Sequence, residues 1–399
     1  MARGLEVRRG RPLPRLLAGV LLLGVAESMV GPYVVLFGAD RAHLSPFAIG
    51  VFVSLTAVSG MVVSVWLGRR YDQAPSRIPA LLAIAAAAVG YSLLTTTTSY
   101  ALLLVIAAVF LGTGTAAFPQ LFALARSYLD RGTSTAAARG NPALRSAWSL
   151  AWAVGPMAGA AVLEWQGFSG LFLVTAVGLG LVALPVVLLG PPPALPRPGA
   201  APSAEPARPA RLLLPVVLGF ALFHTAMFSG SVALPLYVTR VLGLSSGDVG
   251  LLFSFCAVVE IPAALGLMLL PARVSKARVI RLGMVLFMIY FVSAAASSSM
   301  LALVLAQVAR GVAIAVVGAL GITYFQELLP QEAGRATTLF SNTATAGSLI
   351  AGIVAGATAQ ALGYRAALVL CGVLSAVAWA LVSVARQGGR VRVPFVRSR

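Results

Sequence analysis

The sequence predicts an all-α membrane protein built as two bundles of six transmembrane helices, and three observations predict it. Hydrophobic residues make up 59% of the 399 and charged residues only 10%, with a mean hydropathy of +0.94, a balance that no water-soluble domain keeps in solution. The apolar sequence falls into twelve runs, each about the 20 residues that cross a bilayer as helix. Between the sixth and seventh runs lies GPPPALPRPGAAPSAEPARPAR (190–211), so rich in proline that it can neither propagate a helix nor build a core. The chain is therefore expected as an N-terminal six-helix bundle (1–189), a cytoplasmic linker (190–211), and a C-terminal bundle with a basic tail (212–399).

The twelve predicted spans are Leu13–Gly38, Pro46–Leu67, Pro79–Thr97, Ala101–Ala125, Pro142–Leu163, Phe168–Leu189, Leu212–Thr239, Val249–Leu270, Val279–Ala296, Leu301–Tyr324, Ala336–Ala361 and Ala366–Ala385. With the amino terminus in the cytoplasm, 25 of the 29 basic residues fall inside. Arg41, Arg240 and Arg365 fall outside, and Arg310 lies within a span. The positive-inside rule then puts both termini and the linker in the cytoplasm. The formal charge of +18 is a record of topology, and nucleic acid is not called for as a partner. Arginine and alanine usage suggests a GC-rich bacterial genome, hence a multi-pass protein of the bacterial inner membrane.

Cys256 and Cys371 both sit in apolar spans, where small core residues are expected, and no metal, cofactor or disulfide framework is indicated. The first apolar run reads as a transmembrane helix and not as a cleaved signal. His43, His224 and the two cysteines form no nucleophile or metal constellation, so no enzyme is predicted. No phosphate-cradling glycine loop supports ATP-driven pumping. The expected partners are a small-molecule solute, protons and the lipid bilayer, with the chain acting as a monomer.

In the first half, Glu27 lies near the middle of span one, with Gly24, Gly31 and Gly38 on much the same lane. A carboxylate at that depth should face a cavity or a partner, not lipid, and the glycines allow a close neighbour. Span two leads into Gly68-Arg-Arg-Tyr-Asp72-Gln-Ala-Pro-Ser-Arg77. Span four carries Gln120 and ends near Arg126. Span five opens with Arg145, Trp148 and Trp152 at i, i+3 and i+7, one face of a helix. An indole and guanidinium lane suits a sugar, although Trp148 is read equally well as packing. Gly155-Pro156 follows, a place where helices cross closely and the backbone bends.

The second half repeats the plan in altered residues. His224 lies at the centre of span seven, and Glu260 with Pro262 puts a second carboxylate at bilayer depth in span eight. Gln307 and Arg310 share a face of span ten. Asn342 lies near the start of span eleven. Glu27 and Arg310 carry opposite charges that would offset each other's burial if paired.

The loop around Gly68, Asp72 and Arg77 resembles the major facilitator superfamily, with Pro75 and Ser76 departing from its usual Gly and Arg. Gly155-Pro156 resembles the fifth-helix signature of that superfamily's antiporters, with Ala151 where an earlier glycine is usual. Pro119–Arg126 running on to Arg145, Ser149–Trp152 and Gly155-Pro156, then Glu260-Ile-Pro262, then Tyr324–Gln326 through Ala336 to Asn342-Thr343 resemble the SET family of bacterial sugar efflux transporters. That resemblance implies the major facilitator fold with pseudo-two-fold symmetry and proton-driven export of sugars or glycosides by alternating access. On this reading Gln120, Trp152, His224, Gln307, Arg310 and Asn342 bind solute, and Glu27 and Glu260 couple protons. Asp72, Arg77, Arg126, Arg145, Gly155 and Pro156 serve the conformational change. A multidrug or other small-molecule exporter of the same superfamily is the alternative. Glu27 and Arg310 depart from the uncharged residues usual in the family.

Overall fold

Helix makes up nearly all of the computed structural model, which describes residues 12–129, 134–189, 192, 210–271 and 273–388, and no strand occurs among them. The predicted linker 190–211 lies outside the described residues except for Pro192, Ala210 and Arg211, as do both basic tails.

Helix α1 runs Pro12–Val30, tightens through the 3-10 turn Gly31–Tyr33 and resumes as Val34–Asp40. Next come α2, Pro46–Gln73, and α3, Ile78–Leu94. Helix α4 covers Tyr100–Leu129 with a π-helical segment, Ile106–Leu111, inside it. The stretch Ser134–Leu188 holds both predicted spans five and six as two helices with no loop between them. It breaks at Gly167, whose φ of 68° and ψ of −171° are open in practice only to glycine. We call its parts α5 (134–166) and α6 (168–188). The second half follows as α7, Ala210–Leu236 with a π turn Tyr237–Val241; α8, Ser246–Met268; α9, Lys276–Ala296; α10, Met300–Leu328; α11, Ala333–Leu362; and α12, Tyr364–Gly388.

Among the described residues ten helices are long and apolar enough to cross a membrane, and α3 is a shorter apolar helix of 17 residues. Taking the 47-residue Pro142–Leu188 as two crossings agrees with the twelve predicted spans, since about 30 Å of hydrocarbon needs only some 20 residues. Two boundaries change, and the first is the start of α5, at Ser134 and not at Pro142. Helix α2 continues to Gln73, so Gly68–Asp72 is helical and not loop, because nothing interrupts it before Pro75.

The chain packs as two compact units, Met1–Pro198 with Leu234–Val258, and Gly199–Ala233 with Val259–Arg399. Unit one is cored by Leu16, Val20 and Leu23 of α1, Leu121 and Leu124 of α4, and Leu179, Val182 and Val186 of α6. Helices α1 and α5 meet through small residues. A Cβ on Gly24 would sit 2.6 Å from Ala151 Cβ, and Gly155 and Gly159 face Ser28 and Met29 as closely. Such lanes let backbones approach where no hydrophobic force separates helix from lipid. Unit two is cored by aromatics: Phe220 and Phe223 of α7, Phe287, Tyr290 and Phe291 of α9, Phe325 of α10 and Phe340 of α11.

The internal repeat is visible in single hydrogen bonds. Ser28 Oγ donates to the Ala151 carbonyl at 3.0 Å in unit one, and Ser229 Oγ to the Ala351 carbonyl at 3.0 Å in unit two. The turn after α1 is copied after α7. Leu44 N donates to Gly38 O at 2.8 Å and Leu244 N to Val238 O at 3.1 Å, and Ser45 and Ser245 then cap the next helices. His43 and Gly243, at the same place in the two turns, both have positive φ, 50° and 67°.

Candidate solute and coupling site

Gly24, Glu27 and Gly31 share one lane of α1. A Cβ on Gly24 would lie 3.1 Å from Trp148 Cε3, and one on Gly31 would lie 3.8 Å from Trp152 Cη2. Gly24 and Gly31 therefore face the tryptophans of α5, and Glu27 between them is half-buried. The two indoles differ. Trp148 packs on Phe118 at 4.4 Å and belongs to the apolar core, whereas Trp152 is half-buried against glycine. Gln120 of α4 is 3% exposed, and its Oε1 finds no hydrogen-bond partner among the described residues.

Of the residues predicted to serve the conformational change, Asp72 and Arg126 are exposed near helix ends and Arg145 is exposed within α5. Arg77 donates to the Val187 carbonyl and Arg15 to the Leu188 carbonyl. Both guanidiniums therefore cap the C-terminus of α6, where unsatisfied carbonyls and the helix dipole favour a cation. Gly155 and Pro156 are buried in the α1–α5 contact, and the Pro156 carbonyl accepts from Tyr33 Oη at 2.7 Å.

In unit two, Gln307 is fully buried and Arg310 is 4% exposed. Arg310 donates to Gln307 Oε1 at 3.2 Å and to Ser231 Oγ at 3.0 Å, with its guanidinium 5.6 Å from the Tyr290 ring centroid. Ser231 donates in turn to Met227 O at 3.0 Å, so its lone pairs are left to accept. Nothing in the sequence singles out Tyr290 or Ser231 as site residues. Their signal is tertiary, since α7, α9 and α10 must pack before the cluster exists.

His224 is enclosed by Phe220, Phe223, Phe228 and Phe340, with Nδ1 3.1 Å from Thr343 Oγ1. Thr343 Oγ1 also donates to Phe340 O at 2.6 Å, and which partner donates in the His224–Thr343 bond follows the imidazole tautomer. Asn342, beside Thr343 on α11, is exposed, and Glu260 of α8 is half-buried. Gln326 Nε2 donates to Thr337 Oγ1 at 3.2 Å, joining α10 to α11 through two residues of the resembling segment. Within unit one the glycines on either side of Glu27 stand against Trp148 and Trp152. Within unit two the predicted residues gather Gln307 with Arg310, and His224 with the turn that carries Asn342.

Comparison with known proteins agrees with this architecture. A profile of the Major Facilitator Superfamily matches residues 2–141 and 216–397. A Deinococcus radiodurans protein named as a sugar efflux transporter is 39% identical over 91% of this chain and 95% of its own. Sugar efflux transporter A of Escherichia coli is 30% identical over 90% and 92%. Among solved structures, a bacterial homologue of the lysosomal transporter Spinster superposes with a TM-score of 0.75 at 15% identity, over 96% of this chain and 98% of that one. A POT family transporter gives 0.76 at 13%, over 94% and 96%. Likeness at such identities establishes the fold alone. The matched profile and the relatives at 30–39% identity establish more: the chain is a multi-pass membrane transporter, not an enzyme, and it belongs to the Major Facilitator Superfamily, within the family of bacterial sugar efflux transporters.

Proposed function

We propose that the chain exports sugars or glycosides across a bacterial cytoplasmic membrane in exchange for protons, by alternating access, as a monomer with both termini in the cytoplasm. One observation carries the reading. A chain whose 39%-identical relative is named as a sugar efflux transporter keeps Gln120, Gln307 and Arg310 buried inside its spans, a costly placement unless polar groups meet them there. Gln120, Gln307, Arg310 and Asn342 exchange hydrogen bonds with solute hydroxyls, and Trp152 offers its indole face to the sugar's C–H face. His224 acts from behind, its bond to Thr343 fixing the turn that carries Asn342. Glu27 and Glu260 take up the proton as solute leaves. Asp72, Arg77, Arg126 and Arg145 hold the inner helix ends, and Gly155-Pro156 lets α5 bend.

The test is uptake of labelled sugars and of cationic dyes into inverted vesicles with an acidic lumen. Sugar accumulation driven by the gradient is expected, with Glu27→Gln and Glu260→Gln losing accumulation but keeping downhill exchange. Arg310→Gln is expected to raise the apparent KM about tenfold to a hundredfold, the range for a lost charge-assisted hydrogen bond. Movement of dyes without sugars would transfer the reading to a multidrug exporter. Full accumulation by both glutamate variants would remove the proton assignment.

A further inference from the structure

The contacts that draw Leu234–Val258 into unit one are specific. Ser246, Gly250 and Ser254 recur every fourth residue and so form one face of α8. That face lies on α1 and α5. Tyr33 is fully buried, and its one proton goes to the Pro156 carbonyl, while Ser246 O lies 3.5 Å from the same hydroxyl. A Cβ on Gly250 would stand 2.6 Å from Tyr33 Oη, 2.8 Å from Pro156 O and 2.9 Å from Ala160 Cβ. Ser254 Oγ accepts from Met157 N at 3.2 Å. Nearer the helix ends, Arg240 donates to Asp40 Oδ1. These two stand at matching places in the repeated turn, so a residue of one repeat meets its own counterpart in the other, as contacts on a pseudo-two-fold axis do.

From this geometry we infer that Tyr33, Gly250 and the Asp40–Arg240 pair are functional residues of transport: together they form the outer seal, which must part for solute to leave. The inference rests on the orientation and alternating access proposed above. Both members of the ion pair are exposed, with side chains 47% and 38% accessible, and exposed pairs hold weakly. The pair sets register, and the contact at Gly250, which has no room for a single methyl, closes the path. Trp152 lies one turn deeper on α5 than Pro156, on the far side of that contact.

Two measurements test it, both in the full chain carrying Cys256→Ala and Cys371→Ala. In the first, Asp40→Cys and Arg240→Cys are joined in right-side-out vesicles by a short membrane-impermeant thiol crosslinker. A protease site inserted in 190–211 reports the link as fragments held together on a denaturing gel. The linked chain is expected to lose sugar efflux at least tenfold and to regain it on reduction; unchanged efflux from linked protein overturns the seal. Linking in inverted vesicles alone overturns it too, because the pair would then face the cytoplasm. The second needs no solute. Gly250→Val is expected to raise labelling of Trp152→Cys by an impermeant maleimide from outside at least tenfold over the Gly250 background, and equal labelling overturns the inference. A parent chain that moves no sugar counts against the solute alone, because the labelling result stands by itself.

Discussion

Gln120 holds a carbonyl oxygen that is buried without a hydrogen-bond partner among the described residues, although the cost of such an oxygen is about 1–3 kcal/mol. A leucine of similar size removes that cost. Gln120→Leu is therefore expected to raise the thermal midpoint of the purified protein while lowering sugar efflux by about tenfold or more. Unchanged efflux would take Gln120 out of the solute site, and a fall in both would make it a folding residue. His224 illustrates the opposite case. Its ring is packed among phenylalanines and tied to Thr343, so its polar atom already has a use within unit two.

Between elements, the recurring device is a serine hydroxyl donated across a helix crossing to a carbonyl. Ser28 joins α1 to α5 and Ser229 joins α7 to α11, at the same 3.0 Å. Each bond contributes about 1 kcal/mol net. Because the two lie in different units and share no partner, Ser28→Ala and Ser229→Ala are expected to lower stability by similar amounts, adding within about 0.5 kcal/mol in the double variant. Denaturation midpoints in detergent measure this, and a strongly non-additive double variant would show that the two crossings are coupled. The small residues beside them make these crossings possible. Gly155 stands against Ser28, and Gly347 would put a Cβ 2.7 Å from the His224 backbone.

For the molecule as a whole, the charge distribution makes a direct prediction about orientation. In a chain without native cysteines, Arg41→Cys and Arg365→Cys are expected to react with an impermeant thiol reagent added to intact cells. Arg69→Cys and Arg278→Cys should react only after permeabilisation; Arg41, Arg69 and Arg365 are exposed and Arg278 lies at the exposed start of α9. The reverse pattern would invert the topology and with it the direction of export. The all-helical class, the order of the helices and most of their approximate ends were legible in the sequence because hydrophobic length and helical period are local properties, complete within some 20 residues. For the same reason the glycine lane around Glu27 and the polar residues inside α4 and α10 could be named without a structure. The π-helical segment Ile106–Leu111 and the seamless run through Pro142 were not legible, since neither changes the hydrophobic pattern. Partners on other helices were beyond the sequence. Ser231 meets Arg310 from 79 residues away, Thr343 meets His224 from 119, and Arg240 meets Asp40 from 200. Periodicity shows that a helix has a polar or small-residue lane, but which distant lane it faces is decided only when the helices pack and small residues set how closely they approach.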